Sequence, residues 1–266
     1  DAASYTRQVT AQPRIGARLE YVFDNSLETG LNLRSGARYK FFAEFVKKFD
    51  FSTNENGGQS LTFSKGVMSI LGVDARFYQP ILKHSVWATR IAGATVAGSE
   101  KILYFLGGVD NWLMPQRDDE ISIPPGDFAF QTLAANLRGF KLNTRNGNNY
   151  LLINSELRVP VAKYIFKNIS SQLIRNFQIV GFFDVGSAWT GFNPYRADNP
   201  LNTTTYKEGE TITVTVNYFR DPIAASYGVG LRTKLFGYFV RADYGYGIET
   251  RIIQKPILHV SMGLDF

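Results

Sequence analysis

The stretch GYFVRADYGYG, residues 237–247, decides the fold class of this chain. Its side chains alternate between two faces, which is the period-two pattern of a β-strand. Val240 and Ala242 lie on one face. Arg241 and Asp243 lie in the middle of the other face. A soluble β-sandwich explains the alternation but not the charges at mid-strand. A transmembrane β-barrel, with lipid outside and a polar lumen, explains both features.

The same alternation recurs along the chain and predicts nine strands. Each of them has about 9–14 residues, more than the roughly five to six that are usual in a soluble sheet. A tenth candidate strand is ASYTRQVTA (3–11), and TITVTVNYF (211–219) is expected to form a hairpin within a long loop. The nine strands are IGARLEYVFDN (15–25), ARYKFFAEF (37–45), VMSILGVDARFYQP (67–80), SVWATRIAGATVAG (85–98), NYLLINSELRVP (149–160), FQIVGFFDVGSAW (177–189), ASYGVGLRTK (225–234), GYFVRADYGYG (237–247) and ILHVSMGLDF (257–266).

The connections between the predicted strands mostly alternate between short turns and long loops. The turns at residues 83–84 and 234–237 are short, whereas the segments at about 99–148 and 190–222 are long. Outer-membrane barrels have short turns on one side and long loops on the other. The link after Pro160 is the exception, because it is longer than a turn needs. We therefore predict one all-β domain over residues 1–266, an antiparallel transmembrane β-barrel with a long irregular loop at about 99–148.

Composition excludes several classes of function. The chain has 266 residues, no cysteine and a net charge of +6. Cysteine-ligated metals and thiol chemistry are therefore excluded. Lys and Arg are spread along the chain rather than clustered, so nucleic acid is not an expected partner. No apolar run approaches the ~20 residues of a membrane helix. Residues 1–13 have no charged leader followed by an apolar core, so we expect either a mature or trimmed form or a protein that is not secreted.

Motifs for catalysis and cofactor binding are absent from the sequence. The two histidines, His84 and His259, are far apart and lack metal-ligand spacing. There is no nucleophile elbow, phosphate-binding loop or zinc-protease motif. The acids of QRDDEIS, residues 116–122, are expected to be a solvated loop, with calcium binding as the minor alternative. We expect no enzyme activity, no metal and no cofactor.

The last predicted strand carries a further signal. Its alternate residues form one apolar face that ends on an aromatic side chain, a pattern that bacterial barrel-assembly machinery reads on its clients. The residues of this face are Leu258, Val260, Met262, Leu264 and Phe266.

Four motifs occur in a fixed order and resemble a known family. They are the loop motif LRGF (Leu137, Arg138, Gly139, Phe140), ELR within SELRVP (Glu156, Leu157, Arg158), FxDxG (Phe182, Asp184, Gly186) and the terminal strand; DARFYQPIL and FLGG upstream fit the same template. Over residues 15–266 this set resembles the C-terminal barrel of the BamA/TamA family, also called the bacterial surface antigen family. The family's members are outer-membrane proteins that insert or translocate other proteins.

The resemblance implies a role for each motif. The long loop is expected to fold back into the barrel lumen, where Arg138 contacts Glu156 and Asp184. A guanidinium offers a planar fork of donors that can satisfy two carboxylates at once. Alternation agrees independently, because it places Glu156 with Arg158 and Asp184 with Gly186 on the lumenal faces of their strands. The motif is then either a structural lock on the loop or a support for function.

The family implies a bacterial outer-membrane location, with membrane lipid, client outer-membrane proteins and accessory lipoproteins as partners. The family barrel has sixteen strands and follows periplasmic POTRA domains. Nine or ten strands therefore predict the C-terminal part of a longer protein, with a small self-closing relative as the alternative. Two other functions stay open, an anchoring barrel for a separate N-terminal enzyme domain and a passive pore.

Overall fold

The structure is a computed structural model, and it describes residues 13–53, 59–62, 66–121, 123–124, 128–166, 171–196, 201, 203–208, 212–217 and 220–266. These residues form eighteen strands and two short helices, so the described chain is all-β. No helix among them has the length and apolar character to cross a membrane. The bounds are β1 (Arg14–Asp24), β2 (Leu27–Gly30), β3 (Leu33–Lys48), β4 (Asp50–Thr53), β5 (Gln59–Thr62), β6 (Val67–Pro80), β7 (Val86–Gly98), β8 (Lys101–Leu106), β9 (Phe128–Ala135), β10 (Arg145–Gly147), β11 (Asn149–Val159), α1 (Val161–Ile165), α2 (Gln172–Arg175), β12 (Gln178–Trp189), β13 (Thr203–Glu208), β14 (Ile212–Asn217), β15 (Ala224–Leu235), β16 (Tyr238–Glu249), β17 (Ile252–Ile253) and β18 (Ile257–Met262).

One large antiparallel sheet contains all nine strands that alternation predicts. Its order is β1-β3-β6-β7-β11-β12-β15-β16, with β17 and β18 both paired to β16 and β2 paired to β3. Among the described residues, no ladder joins β1 to β18. The predicted hairpin at 211–219 is confirmed, because β14 pairs with β13. The candidate strand at 3–11 lies outside the described residues.

The two faces of this sheet differ in chemistry. We call the face that carries residues 99–148 the inner face and the opposite one the outer face. Charged and polar side chains on the inner face of β11, β12, β15 and β16 are buried, whereas large apolar side chains on the outer face are exposed. Nine such residues, one from each of the nine strands that alternation predicts, are between 44% and 77% exposed: Leu19, Phe45, Leu71, Trp87, Leu151, Phe183, Val229, Tyr244 and Leu258.

The long loop is more regular than the sequence predicts. Instead of an irregular segment, residues 99–148 contain the separate sheet β10-β8-β9, in which β8 and β9 run parallel. Leu106, Leu137 and Phe140 of this loop pack with Leu152 and Ala188 of the large sheet in one buried cluster. Apolar packing therefore holds the loop against the inner face.

Three other connections also depart from simple loops. The link between β3 and β6 contains the hairpin β4-β5, and residues 54–58 between these two strands lie outside the described residues. The long link after Pro160 contains α1 and α2. The last strand ends at Met262 rather than Phe266, because Gly263 adopts a φ of +124° and turns the chain.

Candidate functional site at the inner face of the sheet

The LRGF motif forms a tight turn on top of the FLGG segment. Leu137 donates its backbone N–H to the carbonyl of Gly108 at 3.1 Å, and Gly108 donates its own N–H to the carbonyl of Phe140 at 3.1 Å. Gly139 has a φ of +78°, a conformation that glycine adopts without steric cost. These two hydrogen bonds and the apolar flanks Leu137 and Phe140 point the intervening Arg138 at the large sheet.

Arg138 meets two carboxylates on neighbouring strands. Its Nε and Nη2 donate to the two oxygens of Asp184 at 2.8 and 2.7 Å, and its Nη1 donates to Glu156 at 2.5 Å. The side chain of Phe182 lies under the guanidinium, with 4.0 Å from Cζ to the ring centroid. Arg138 is 3% exposed, so these contacts replace its solvent almost completely. The structure thus brings together the three residues that the resemblance implies.

The surroundings of Arg138 favour its protonated, positively charged form. Burial lowers the pKa of the guanidinium, but the carboxylates of Asp184 and Glu156 outweigh burial and raise that pKa well above its usual value. Removing the arginine would leave the carboxylate of Asp184 buried without a cation and Glu156 with Arg158 alone, and an uncompensated buried charge typically costs about 3–5 kcal/mol.

The FxDxG motif supplies both the ring and the space for this contact. Phe182 and Asp184 lie two residues apart on one strand and therefore share the inner face. A Cβ added at Gly186 would lie 2.7 Å from Leu152 and 2.9 Å from Leu106, so glycine leaves room for these two side chains in their present positions. The three residues of the motif therefore contribute in different ways: Phe182 stacks on the guanidinium, Asp184 pairs with it, and Gly186 leaves room for the loop.

A run of alternating glycines in β16 receives the turn. A Cβ added at Gly139 would lie 2.9 Å from the backbone nitrogen of Gly247, and one added at Gly245 would lie 2.9 Å from the nitrogen of Gly139. A Cβ at Gly247 would meet the ring of Phe140 at 2.7 Å. The stretch YGYG thus turns its tyrosines away and offers bare backbone to the LRGF turn, a role that sequence reasoning missed.

The ion pair at Arg138 belongs to a larger buried network. Arg158 binds the second oxygen of Glu156 at 2.8 Å. On the other side, Asp243 lies 4.0 Å from Arg138 and 2.8 Å from Arg232. Arg232 also binds Asp265 at 2.8 Å. The four arginines and four acids of the network balance in charge and are all at most 5% exposed in their side chains; they are Arg138, Arg158, Arg232, Arg241, Glu156, Asp184, Asp243 and Asp265.

The last strand contributes a histidine to the same site. His259 accepts a hydrogen bond at Nε2 from the N–H of Gly139, at 2.9 Å. The ring of Trp112 packs on it at 4.3 Å between centroids, and Leu113 donates its N–H to Val260 at 2.9 Å. The loop therefore contacts β18 as well as β11 and β12. Sequence reasoning missed His259; its position on the polar face of an alternating strand was the available signal.

A second arginine anchors the far end of the loop. Arg145 is fully buried and donates to the carboxylate of Glu249 at 2.7 Å. It also donates to the backbone carbonyls of Asp221 at 2.7 Å and Pro222 at 3.3 Å. Burial lowers the pKa of Arg145, and the carboxylate of Glu249 offsets only part of that effect.

The terminal apolar face is interrupted. Leu258, Met262 and Leu264 are exposed and Val260 is half-buried. Phe266 departs from the expectation that it shares their face, because the turn at Gly263 breaks the alternation. Its ring packs inward against the buried cluster of Leu33, Tyr78, Val86 and Ala88, and the guanidinium of Arg158 lies 5.0 Å from its centroid.

The described residues hold no group of three or more His, Asp or Glu side chains that could bind a metal ion. His84 lies in the turn between β6 and β7 and packs against Tyr164. It is not part of the network around Arg138. Comparison with known proteins finds no matching family model and no matching curated protein.

Proposed function

We propose that this chain is an outer-membrane β-barrel segment of the BamA/TamA type, which assists the insertion of other outer-membrane proteins. The observation that carries the proposal is the LRGF turn, which is clamped by Arg138 onto Glu156 and Asp184. The ordered motifs imply this contact, and the folded chain contains it as a buried ion pair that is bidentate toward Asp184.

The chemistry of the two faces supports a membrane location. Large apolar side chains exposed along nine strands would contact water unfavourably in a soluble protein, and a continuous exposed patch of this kind marks an interaction surface. Buried charges on the inner face fit a polar lumen. In such an arrangement lipid covers the outer face and the strands keep their backbone hydrogen bonds within the sheet.

Assistance to client strands would use the edge of β18. Within the described residues β18 forms a ladder with β16 alone, and the loop occupies part of its other edge through Leu113 and an isolated bridge between Trp112 and Ser261. An unpaired strand edge is a template on which another chain can add a strand. The docked loop stabilises β18 through Gly139 and Leu113, so the lock at Arg138 would hold this edge in place.

A passive pore is less well supported. The loop fills the inner face of β11, β12, β15 and β16 with buried side chains. The cavity beside Arg138, Glu156 and Asp243 measures only about 10 Å³, the room of roughly one water molecule. Large stable conductance in planar bilayers would contradict the proposal.

The test is replacement of Arg138 in the host bacterium. Arg138→Ala is expected to lower the assembled level of client barrels several-fold, and Arg138→Lys is expected to restore only part of it because lysine lacks the planar fork. Lys141→Ala, an exposed residue three positions along the same loop, is the matched control. The variant's own membrane level is measured in parallel. Unchanged client levels in an Arg138→Ala strain with a normal level of the variant would refute the proposed function.

A further inference from the structure

Three neighbouring connections at one end of the large sheet expose apolar side chains. We call residues 81–85, 160–166, 171–177 and 233–238 the collar. Its apolar members include Leu82 (61% exposed), Ile165 (65% exposed) and Phe236 (91% exposed). The collar lies at the end with short turns, which in outer-membrane barrels is the periplasmic end. The loop site around Arg138 does not include it.

Side-chain contacts join these connections into one continuous surface. The hydroxyl of Tyr164 accepts a hydrogen bond from the N–H of His84 at 3.2 Å and bonds with the hydroxyl of Ser85 at 2.8 Å. Thr233 donates to the carbonyl of Leu173 at 3.0 Å. The collar therefore follows the end of the sheet from β6 to β16 as a band, rather than as a compact patch.

The charges of the collar all have one sign. Lys83, Lys163, Arg175 and Lys234 are exposed, and the collar contains no Asp or Glu. Residues 99–148 at the opposite end mix both signs, including the three consecutive acids of QRDDEIS. The collar is therefore a single-signed band of cations interleaved with aliphatic and aromatic residues, and it extends over three connections.

This combination has a known physical use. Aromatic and apolar side chains favour the boundary between headgroups and acyl chains, and Lys or Arg side chains extend to anionic headgroups. A band suits a membrane plane better than a protein partner, because a protein interface is a compact patch. The collar is also continuous with the exposed apolar outer face through Tyr238 and Leu235 at the turn of β15 and β16.

We infer that the collar lies in the headgroup region of the adjacent leaflet and binds anionic phospholipid there. The inference rests on the proposed function, since it requires the strands to span a membrane. It adds a lipid-binding surface outside the loop site, with phosphate headgroups at the four cations and acyl chains against Ile165 and Phe236.

The first experiment measures lipid preference. The 266-residue chain is reconstituted into nanodiscs of equal phosphatidylglycerol and phosphatidylcholine, and the lipids it retains are counted by native mass spectrometry. We expect about fivefold retention of phosphatidylglycerol over phosphatidylcholine, the ratio that one surface cation contributes. Lys163→Gln with Arg175→Gln is expected to lower that preference at least twofold. Arg251→Gln with Lys255→Gln, two exposed cations in and beside the β16–β17 turn at the opposite end, should leave it unchanged.

The second experiment measures depth. The chain has no cysteine, so Ile165→Cys and Phe236→Cys each give one unique site for a spin label. In the same nanodiscs, both labels should collide with oxygen more than with a water-soluble nickel chelate. A label at Lys141→Cys should show the opposite order.

The outcomes separate the two proposals. Failure of the chain to insert in any bilayer overturns the membrane function and the collar together. Insertion with water-exposed labels and no phosphatidylglycerol preference overturns the collar alone. Labels that are water-exposed in nanodiscs but shielded in native membranes also overturn it, because a protein partner would then cover the surface.

Discussion

Two arginines hold the same loop in different ways. Arg138 binds the carboxylates of Asp184 and Glu156, whereas Arg145 binds one carboxylate and several backbone carbonyls. The pKa of Arg138 is raised and that of Arg145 is lowered, although both are buried. The difference shows that burial alone does not fix the direction of the pKa shift of a buried arginine, because the number of buried carboxylates around it also matters. We predict that the same number decides how strongly each arginine anchors the loop.

Arg138→Ala should have the largest effect. It leaves Asp184 buried without its cation and Glu156 with Arg158 alone, which we expect to lower the free energy of unfolding by about 3–5 kcal/mol. The free energy of unfolding is measured by urea titration of the reconstituted chain, in which mobility on unheated gels reports the folded fraction. Docking of the loop is measured by proteinase K cleavage of residues 99–148. Lys141→Ala is the control. If Arg138→Ala lowers the free energy of unfolding by less than about 1 kcal/mol, the ion pairs of Arg138 are not the main anchor of the loop.

Gly139→Ala should come next. The residue has a φ of +78°, and an added Cβ would lie 2.9 Å from the backbone of Tyr246 and Gly247. A left-handed conformation costs an L-residue about 1–2 kcal/mol, and overpacking costs about 1–3 kcal/mol more. Gly237→Ala is the matched control, because Gly237 has a φ of +89° with open space around its Cβ position. The difference between the two variants in lost free energy of unfolding measures the contact of Gly139 with β16. Equal losses in Gly139→Ala and Gly237→Ala would refute a contribution of that contact to stability.

Arg145→Ala should cost less than Arg138→Ala. Its ion-pair partner Glu249 is 23% exposed in the side chain and can regain water, so the loss comes mainly from the carbonyls of Asp221 and Pro222. Unsatisfied buried acceptors cost about 1–3 kcal/mol. The same urea and protease assays apply. If Arg145→Ala lowers the free energy of unfolding as much as Arg138→Ala does, carbonyl acceptors anchor the loop as strongly as carboxylates do.

Alternation predicted the strands of the large sheet because each has one apolar and one polar face. It also placed Glu156 and Asp184 on the inner face, whereas Arg138 as their partner came from the resemblance that the ordered motifs carry. The strands and their two faces are encoded locally, within one strand or one turn. Local patterns of this kind survive folding because burial of one face fixes the register.

The remaining features depend on contacts between distant segments. Strands β8 and β9 pair in parallel although 21 residues (107–127) separate them in the sequence. No local sequence pattern predicts this pairing. Phe266 turns inward because of the single residue Gly263. The glycines of YGYG are explained by the approach of Gly139 and Phe140, more than one hundred residues earlier. Spacing within one strand cannot reveal such partners.

His259→Ala should have the smallest effect of the four, and it isolates the contact between the loop and β18. The substitution removes the acceptor for the N–H of Gly139, worth about 1 kcal/mol, and some packing against Trp112. Because Arg138 remains bound to Asp184 and Glu156, protease protection of the loop should persist while hydrogen exchange at Gly139 increases. His259→Gln, which retains an acceptor, should recover part of the protection at that amide. If exchange at Gly139 is the same in both variants and in the native chain, the hydrogen bond to β18 does not contribute to docking, and the loop is held from the side of β11 and β12 alone.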